Sequence, residues 1–266
     1  MLIFDEIVII NLERSDNRKK MVEDQLKKTN LKYRFFPAFD GSVVINPSLK
    51  SLTRRPFKAF SFGGNRASFN IGALSCSMSH SAVIKYAQMM DLNGVLVLED
   101  DVILSPDFED RLKLLSEVPN DADVIYLGAI AYDIKIGKKY KISEHVWDAV
   151  KLGIYGMHAY IVTKSGYSKV LKKLNEFEDT CDALLPEGIA EGKYKGYALL
   201  PFCVYQLGGL SDIDGKVKTL NYTKTMYSND VNFDNMGGYD KKTKTNIKSI
   251  TTEYDYNITH KANKLF

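Results

Sequence analysis

The stretch Gly94-Val95-Leu96-Val97-Leu98-Glu99-Asp100-Asp101 decides the fold. Its apolar half does not alternate with polar residues, so both faces of the strand it predicts must be covered. That is the pattern of a mostly parallel sheet with helices on either side. Its acidic half follows without a spacer. In an open parallel sheet, ligands bind just outside the carboxyl ends of the strands, which makes Glu99-Asp100-Asp101 the first candidate site. Side chains of an extended segment alternate, so Glu99 and Asp101 are expected on one side and Asp100 on the other.

The surrounding sequence repeats the alternation of strand and helix. Ile7 to Leu12 is another doubly apolar run. Ser15 is a candidate N-cap for a helix in which Met21, Val22 and Leu26 lie at helical spacing, with Asp16 at its positive end. Tyr33 to Phe36 predicts a strand, followed by the turn residues of Phe39-Asp40-Gly41. A helix is predicted over Ser75 to Met90. Ser105-Pro106 predicts the cap and first position of a helix through about Leu115. Strands are predicted over Asp123 to Leu127 and Tyr155 to Thr163, the latter followed by a helix over Ser165 to Leu174. Together these predict a doubly wound α/β layer structure.

The 266 residues are 45% hydrophobic and 26% charged, enough for one large domain or two small ones. Lys+Arg number 36 against 33 Asp+Glu, a formal charge of +3. Binding to a phosphate backbone through the net field is therefore not expected, and no nucleic-acid partner is predicted. Cys76, Cys181 and Cys203 include no CxxC pair and are odd in number, which argues against a disulfide framework and for a reducing compartment. The N-terminal apolar run is too short to span a bilayer and lacks the basic start and cleavage site of a secretory signal. The chain is thus expected to be soluble and cytoplasmic, with no transmembrane segment, and the sequons at Asn221 and Asn257 to be idle. Residues 46–70 carry Arg54, Arg55, Lys58 and Arg66 with no sustained period, reading either as a basic loop over an anionic ligand or as a solvated excursion. After residue 215, lysine, asparagine, threonine and tyrosine dominate. This predicts a tail of short elements wrapping the domain or partly mobile.

Two carboxylates on one side of a strand end can hold a hard divalent cation, with diphosphate oxygens completing an octahedral shell. The bland alternative is an acidic turn that faces water. A receiver-type phospho-acceptor is set aside, because its acidic pair follows the first strand, which here ends in Asn11-Leu12-Glu13-Arg14. G-x-x-x-x-G-K-[ST], G-x-G-x-x-G and H-E-x-x-H are absent, which removes the main support for a simple ATPase, a Rossmann dehydrogenase or a zinc protease.

Four ordered segments resemble glycosyltransferase family 25, which includes bacterial lipooligosaccharide galactosyltransferases and the galactosyltransferases that modify collagen hydroxylysine. They are Val8-Ile9-Ile10-Asn11-Leu12 with Arg14 and Arg18; Gly72 through Cys76 to Ser79-His80; Val95 through Glu99-Asp100-Asp101 to Val102; and Ser211-Asp212. Ala38 to Gly41, Tyr155 to Val162, and Asp182 before Leu185-Pro186 support the match. Ala73 stands where members often carry glutamate. The resemblance implies a GT-A type nucleotide-sugar-binding domain over residues 1–215, with 216–266 as an extension. It implies a UDP-sugar donor, galactose first and glucose next, with Mn2+ or Mg2+ at the acidic motif. It further implies inversion at the anomeric carbon and a glycan or hydroxyl-bearing protein as acceptor.

Inverting transfer is an in-line displacement in which the site neutralises a leaving diphosphate and deprotonates an incoming hydroxyl. On the resemblance, Asp101 and Glu99 are the metal ligands, though either can instead bond the ribose. Asp100 orients the shell or contacts the donor sugar. Asn11 and Leu12 are placed to read the uracil and Arg14 to reach a phosphate, against a plain capping turn. Ser79 and His80 face the donor diphosphate, against the ordinary reading of a satisfied structural histidine. Asp182, Glu187 and His158 compete as the base; the family pattern favours Asp182, whose alternative role is an N-cap. Asp212 contacts metal or acceptor, or belongs to a simple Asp-Gly turn. The rival class is a catalytically inactive carbohydrate-binding or adhesion homologue on the same fold.

Overall fold

Every side chain of the first strand is buried, and the rest of the sheet is built outward from it. The computed structural model describes residues 3–41, 71–131, 140–152 and 154–206, with the dipeptides 209–210 and 217–218. In chain order the elements are β1 (Glu6–Asn11), α1 (Asp16–Leu26), β2 (Tyr33–Pro37), α2 (Ile71–Met89), β3 (Gly94–Glu99), β4 (Val102–Leu104) and α3 (Phe108–Lys113). Then come β5 (Val124–Ala131), β6 (Val146–Asp148), β7 (Ile154–Thr163), α4 (Tyr167–Leu174), α5 (Cys181–Ala190), β8 (Gly196–Leu199) and β9 (Val204–Gln206), followed by the small pair β10 (Gly209–Leu210) and β11 (Val217–Lys218). Among the described residues, no helix is long and apolar enough to cross a membrane.

Seven strands form one sheet in the order β2-β1-β3-β7-β5-β8-β6. β1 pairs parallel with β2 and β3, and β5 parallel with β8, while β7 is antiparallel to β3 and β5, and β6 to β8. Five strands therefore point one way, and the sheet is mostly parallel and flanked by helices. Alternate residues of the central strands enter two separate cores. Val8, Ile10, Val95 and Val97 pack with Val83 and Ile84 of α2, Val170 of α4 and Leu184 of α5. Ile7, Ile9, Leu96 and Leu98 pack with Met21, Val22 and Leu26 of α1 and Phe108 and Leu112 of α3. Each such side chain contributes about 1.5–3 kcal/mol on burial, which is why the runs cannot tolerate alternation.

The sheet departs from the expected doubly wound pattern at β7. A parallel partner for β5 needs a crossover connection, usually helical. Between β5 and β7 the described residues supply only β6 and a short 3-10 turn, Ala149–Lys151, so the chain returns antiparallel. The cap expected at Ser105 also moves, because α3 begins at Phe108 with Asp107 as N-cap. Ser15 does stand at the N-cap of α1, but its side chain makes no cap hydrogen bond and its hydroxyl instead accepts from Arg18 Nη2 at 3.2 Å. The 46–70 segment, both sequons and the extension beyond Val217–Lys218 lie outside the described residues.

Gly128 sets where β9 lies. A Cβ there would run into the Val204 carbonyl and stand 2.8 Å from His158 Nε2, so only glycine allows the Val204 backbone and the His158 ring this approach. β9 then pairs antiparallel with β4, with Gln206 opposite Val102.

Burial lowers the His158 pKa to about 4. An unfolded chain takes up this proton near pH 6.5, the folded chain only near 4. The stability linked to His158 is therefore whole above pH 6.5 and is lost as the pH falls toward 4, on the order of 3 kcal/mol in all. Compared by urea unfolding between pH 7 and 4.5, the wild-type chain is expected to lose stability relative to His158→Gln by this amount as the pH falls; a difference between the two that does not change with pH would show that His158 carries none of it.

Candidate functional site

The strand that carries the acids ends at Glu99, and Asp100-Asp101 make the turn into β4. Asp100 turns toward β1 and α1. Its Oδ2 accepts from Asn11 Nδ2 at 2.7 Å, and its Oδ1 lies 3.3 Å from Arg18 Nη1. Glu99 and Asp101 turn the other way, where Gln206 Nε2 donates to both, at 3.3 Å to Glu99 Oε2 and 3.1 Å to Asp101 Oδ2. The alternation expected of an extended segment thus divides the triplet into one neutralised carboxylate and a pair.

That pair is electrostatically unfinished. Asp101 Oδ1 is buried and has no hydrogen-bond partner. Burial first, and then the charges of Glu99 and Asp100, push the Asp101 pKa up to about 8, against the opposing effects of Arg18 and Gln206. An orphaned carboxylate oxygen costs free energy unless something positive meets it. With Glu99 beside it, the donor set is two hard oxygens at a strand end, which fits a divalent cation of the Mn2+ or Mg2+ type.

His80 supports the pair from α2. Its Nε2 is 3.3 Å from Glu99 Oε1 and its Nδ1 2.9 Å from the Tyr160 hydroxyl. Burial lowers its pKa to about 4, opposed by the charge of Asp182. The ring is therefore neutral at pH 7, and a neutral ring has one N–H, which the carboxylate claims at Nε2 while Nδ1 accepts from the phenol. Both nitrogens are thereby engaged.

The remaining expected residues fall into three groups. Ser79 is buried in α2, where its hydroxyl accepts from Phe39 N at 2.9 Å and donates to the Ser75 carbonyl at 2.7 Å, holding the turn after β2 against the helix. Arg14 pairs with Asp40 of that same turn, and the Leu12 carbonyl accepts from Ser15 N at 2.8 Å. Of the three base candidates, Glu187 is held by Lys173 at 2.7 Å and His158 is buried against Gly128. Asp182 lies half-buried on the first turn of α5, with its charge felt at His80 and Tyr155. Asp212 lies outside the described residues. The structure thus gathers Asn11 and Asp100 on one side and Glu99, Asp101 and His80 on the other, while the side chains of Ser79 and Arg14 are engaged at the turn after β2.

Sequence reasoning gave no role to Gln206 or Tyr160, and noticed Arg18 only through the family pattern. Arg18 had a local signal, since it follows the capping Ser15 by three residues on the first strand's helix. Gln206 had none, because it reaches the acids only through the β4–β9 pairing, some hundred residues apart in sequence. Tyr160 is register-paired with Val97 and hidden in an apolar strand.

The model of "Glycosyltransferase family 25 (LPS biosynthesis protein)" matches residues 4–185. The human protein "Procollagen galactosyltransferase 2" is 26% identical over 173 residues, 63% of this chain and 27% of its own length. A Bos taurus relative, "Probable inactive glycosyltransferase 25 family member 3", is 25% identical over 173 residues, 63% of this chain and 29% of its own. The chain spans less than a third of either relative. A solved structure, "Crystal structure of a glycosyltransferase involved in the glycosylation of the major capsid of PBCV-1", aligns at TM-score 0.33 and 12% identity over 64% of this chain and 66% of that one, a likeness that adds nothing to the fold described above. The family match covers β1 through the first half of α5, the span that holds Asn11, Asp100, Glu99, Asp101, His80 and Asp182, and on it the chain belongs to glycosyltransferase family 25.

Proposed function

We propose that the chain transfers a hexose, galactose first and glucose next, from a UDP-sugar to a hydroxyl of a glycan or protein acceptor, with inversion and with Mn2+ or Mg2+ bound. The observation that carries this is the orphaned Asp101 Oδ1 beside Glu99 at the carboxyl end of β3. Family membership supplies the reaction class, and the name of the human relative supplies the preference for galactose. Asp101 and Glu99 would hold the cation, which when bound supplies positive charge to a leaving diphosphate.

The chain's own residues do the rest. Gln206 keeps Glu99 and Asp101 on one side, and His80 fixes the rotation of Glu99 through its N–H. Asn11 and Arg18 hold Asp100 against β1, so that its carboxylate can accept from donor hydroxyls while the strand end receives the nucleoside. Arg14 and Ser79 shape the turn at 39–41 that borders this strand end, and Asp212 is a further candidate contact to metal or acceptor. Asp182 is the base. It is half-buried on the first turn of α5, and its charge is felt at the neutral His80. Proton removal from an attacking hydroxyl by such a group contributes about 10²–10⁴-fold.

UDP-galactose with Mn2+ is expected to raise the melting temperature by several degrees at about a hundredfold excess over Kd, where binding adds about 2.7 kcal/mol. Asp101→Asn should abolish that shift while leaving the metal-free chain as stable or more so, because it removes a buried carboxylate from its like-charged neighbours. Failure of every UDP-sugar to shift the wild-type chain in Mn2+ would sink the enzyme reading and favour a binding homologue.

Asp182→Asn is expected to keep the thermal shift and to lower transfer by about 10²–10⁴-fold. Transfer at the wild-type rate would remove Asp182 from the reaction, and retained anomeric configuration in the product by NMR would refute inversion.

A further inference from the structure

Behind the acidic pair, α2 and α5 bring two thiols and an imidazole to one point. Cys76 precedes His80 by four residues on α2, so both project from the same face. Cys181 opens α5 from the other side, and its backbone N–H donates to Ser77 Oγ at 3.2 Å, which pins the two helices together where the thiols meet. One ligand atom from each of Cys76, His80 and Cys181 lies within 4.8 Å of the other two. The two sulfurs are 3.8 Å apart. Sulfurs bound to one tetrahedral zinc at about 2.3 Å each stand about 3.8 Å from one another. The thiol pair is already spaced as one edge of a coordination tetrahedron.

We propose that Cys76, Cys181 and His80 form a second metal site, for a borderline-soft cation of the zinc class, distinct from the hard-cation site at Glu99 and Asp101. Ligand chemistry separates the two, since thiolate and imidazole select zinc-like ions and carboxylate oxygens select magnesium- or manganese-like ones. On binding, both thiols release their protons to solvent and the imidazole binds through a lone pair. A divalent cation with two thiolates and a neutral ring therefore adds no net charge to a buried place. His80 Nε2 keeps its hydrogen bond to Glu99, giving the carboxylate–histidine–metal arrangement that orients ligating imidazoles. Nδ1 exchanges the Tyr160 hydroxyl for the metal. Water completes the shell. Cys203, buried in the other core, takes no part.

The test is cobalt titration of the full chain, stripped with chelator under reductant and held in excess Mg2+ to occupy the hard site. A single cobalt per chain with intense sulfur-to-cobalt charge-transfer absorption, displaced by zinc, is expected. Cys76→Ser and Cys181→Ser should each lose that absorption, and Cys203→Ser should keep it. Because either loss could reflect misfolding, the wild-type chain is also alkylated with iodoacetamide, and zinc should slow modification of Cys76 and Cys181 at least tenfold by mass spectrometry. The proposal is overturned by the absence of charge transfer, by its survival in both substitutions, by equal alkylation with and without zinc, or by a Cys76–Cys181 disulfide that forms without metal uptake. Cobalt on carboxylates gives no sulfur absorption, so these outcomes are independent of whether a UDP-sugar binds with Mn2+.

Discussion

Repulsion among Glu99, Asp100 and Asp101 is the constraint to which the rest of the structure answers. Two like charges about 4 Å apart near a protein surface cost about 4 kcal/mol, and here three carboxylates are consecutive at the end of a strand whose other residues are buried. The chain meets this by division. Asp100 is turned into a donor pair from β1 and α1, and is satisfied. Glu99 and Asp101 are turned to β9 and α2, where one amide and one neutral imidazole serve them and one oxygen remains without a donor. The incomplete half is where an external cation has something to offer. A fold that neutralised all three acids internally would gain stability and lose that affinity.

The same division explains why the sheet is ordered as it is. β1 must neighbour β3 so that Asn11 can reach Asp100, and β7 must lie on the other side so that Tyr160 can face His80. Gly128 lets β9 approach close enough for its last residue to hold both remaining acids. Packing and site share one set of decisions. The alternate residues that seal the two cores are also those that fix which way each acid points.

What the sequence disclosed follows from the range of each interaction. β1 and β3 were legible because burial on both faces leaves an unbroken apolar run, a property of the strand alone. The sidedness of the triplet was legible for the same reason, being set by the pleat. The direction of β7 was not, since a strand buried on both faces carries the same run whichever way it points. The start of α3 slipped from Ser105 to Asp107 because Ser105-Pro106-Asp107 offers two capping residues and only tertiary contacts choose between them. Gln206 and Cys181 were invisible as site residues. Each reaches its partners across about a hundred residues of chain, through pairings no local pattern encodes.

His80 is the point at which the two proposed metal sites would meet, and its neutrality is what lets them coexist. A divalent cation on Glu99 lies at one end of the His80 hydrogen bond, and a cation held by the thiolates at the other. Two such charges in a low-dielectric interior would ordinarily exclude one another. The thiolate site, however, brings two negative charges with its cation and is neutral as a unit, and the carboxylate site is likewise neutral once Glu99 and Asp101 are both ionised around theirs. Neither site then imposes a net charge on the other across the His80 ring. The cysteines would fasten α5, and with it Asp182, to the helix that orients Glu99. In that arrangement the soft site acts on the reaction through position alone, and the hard site through charge.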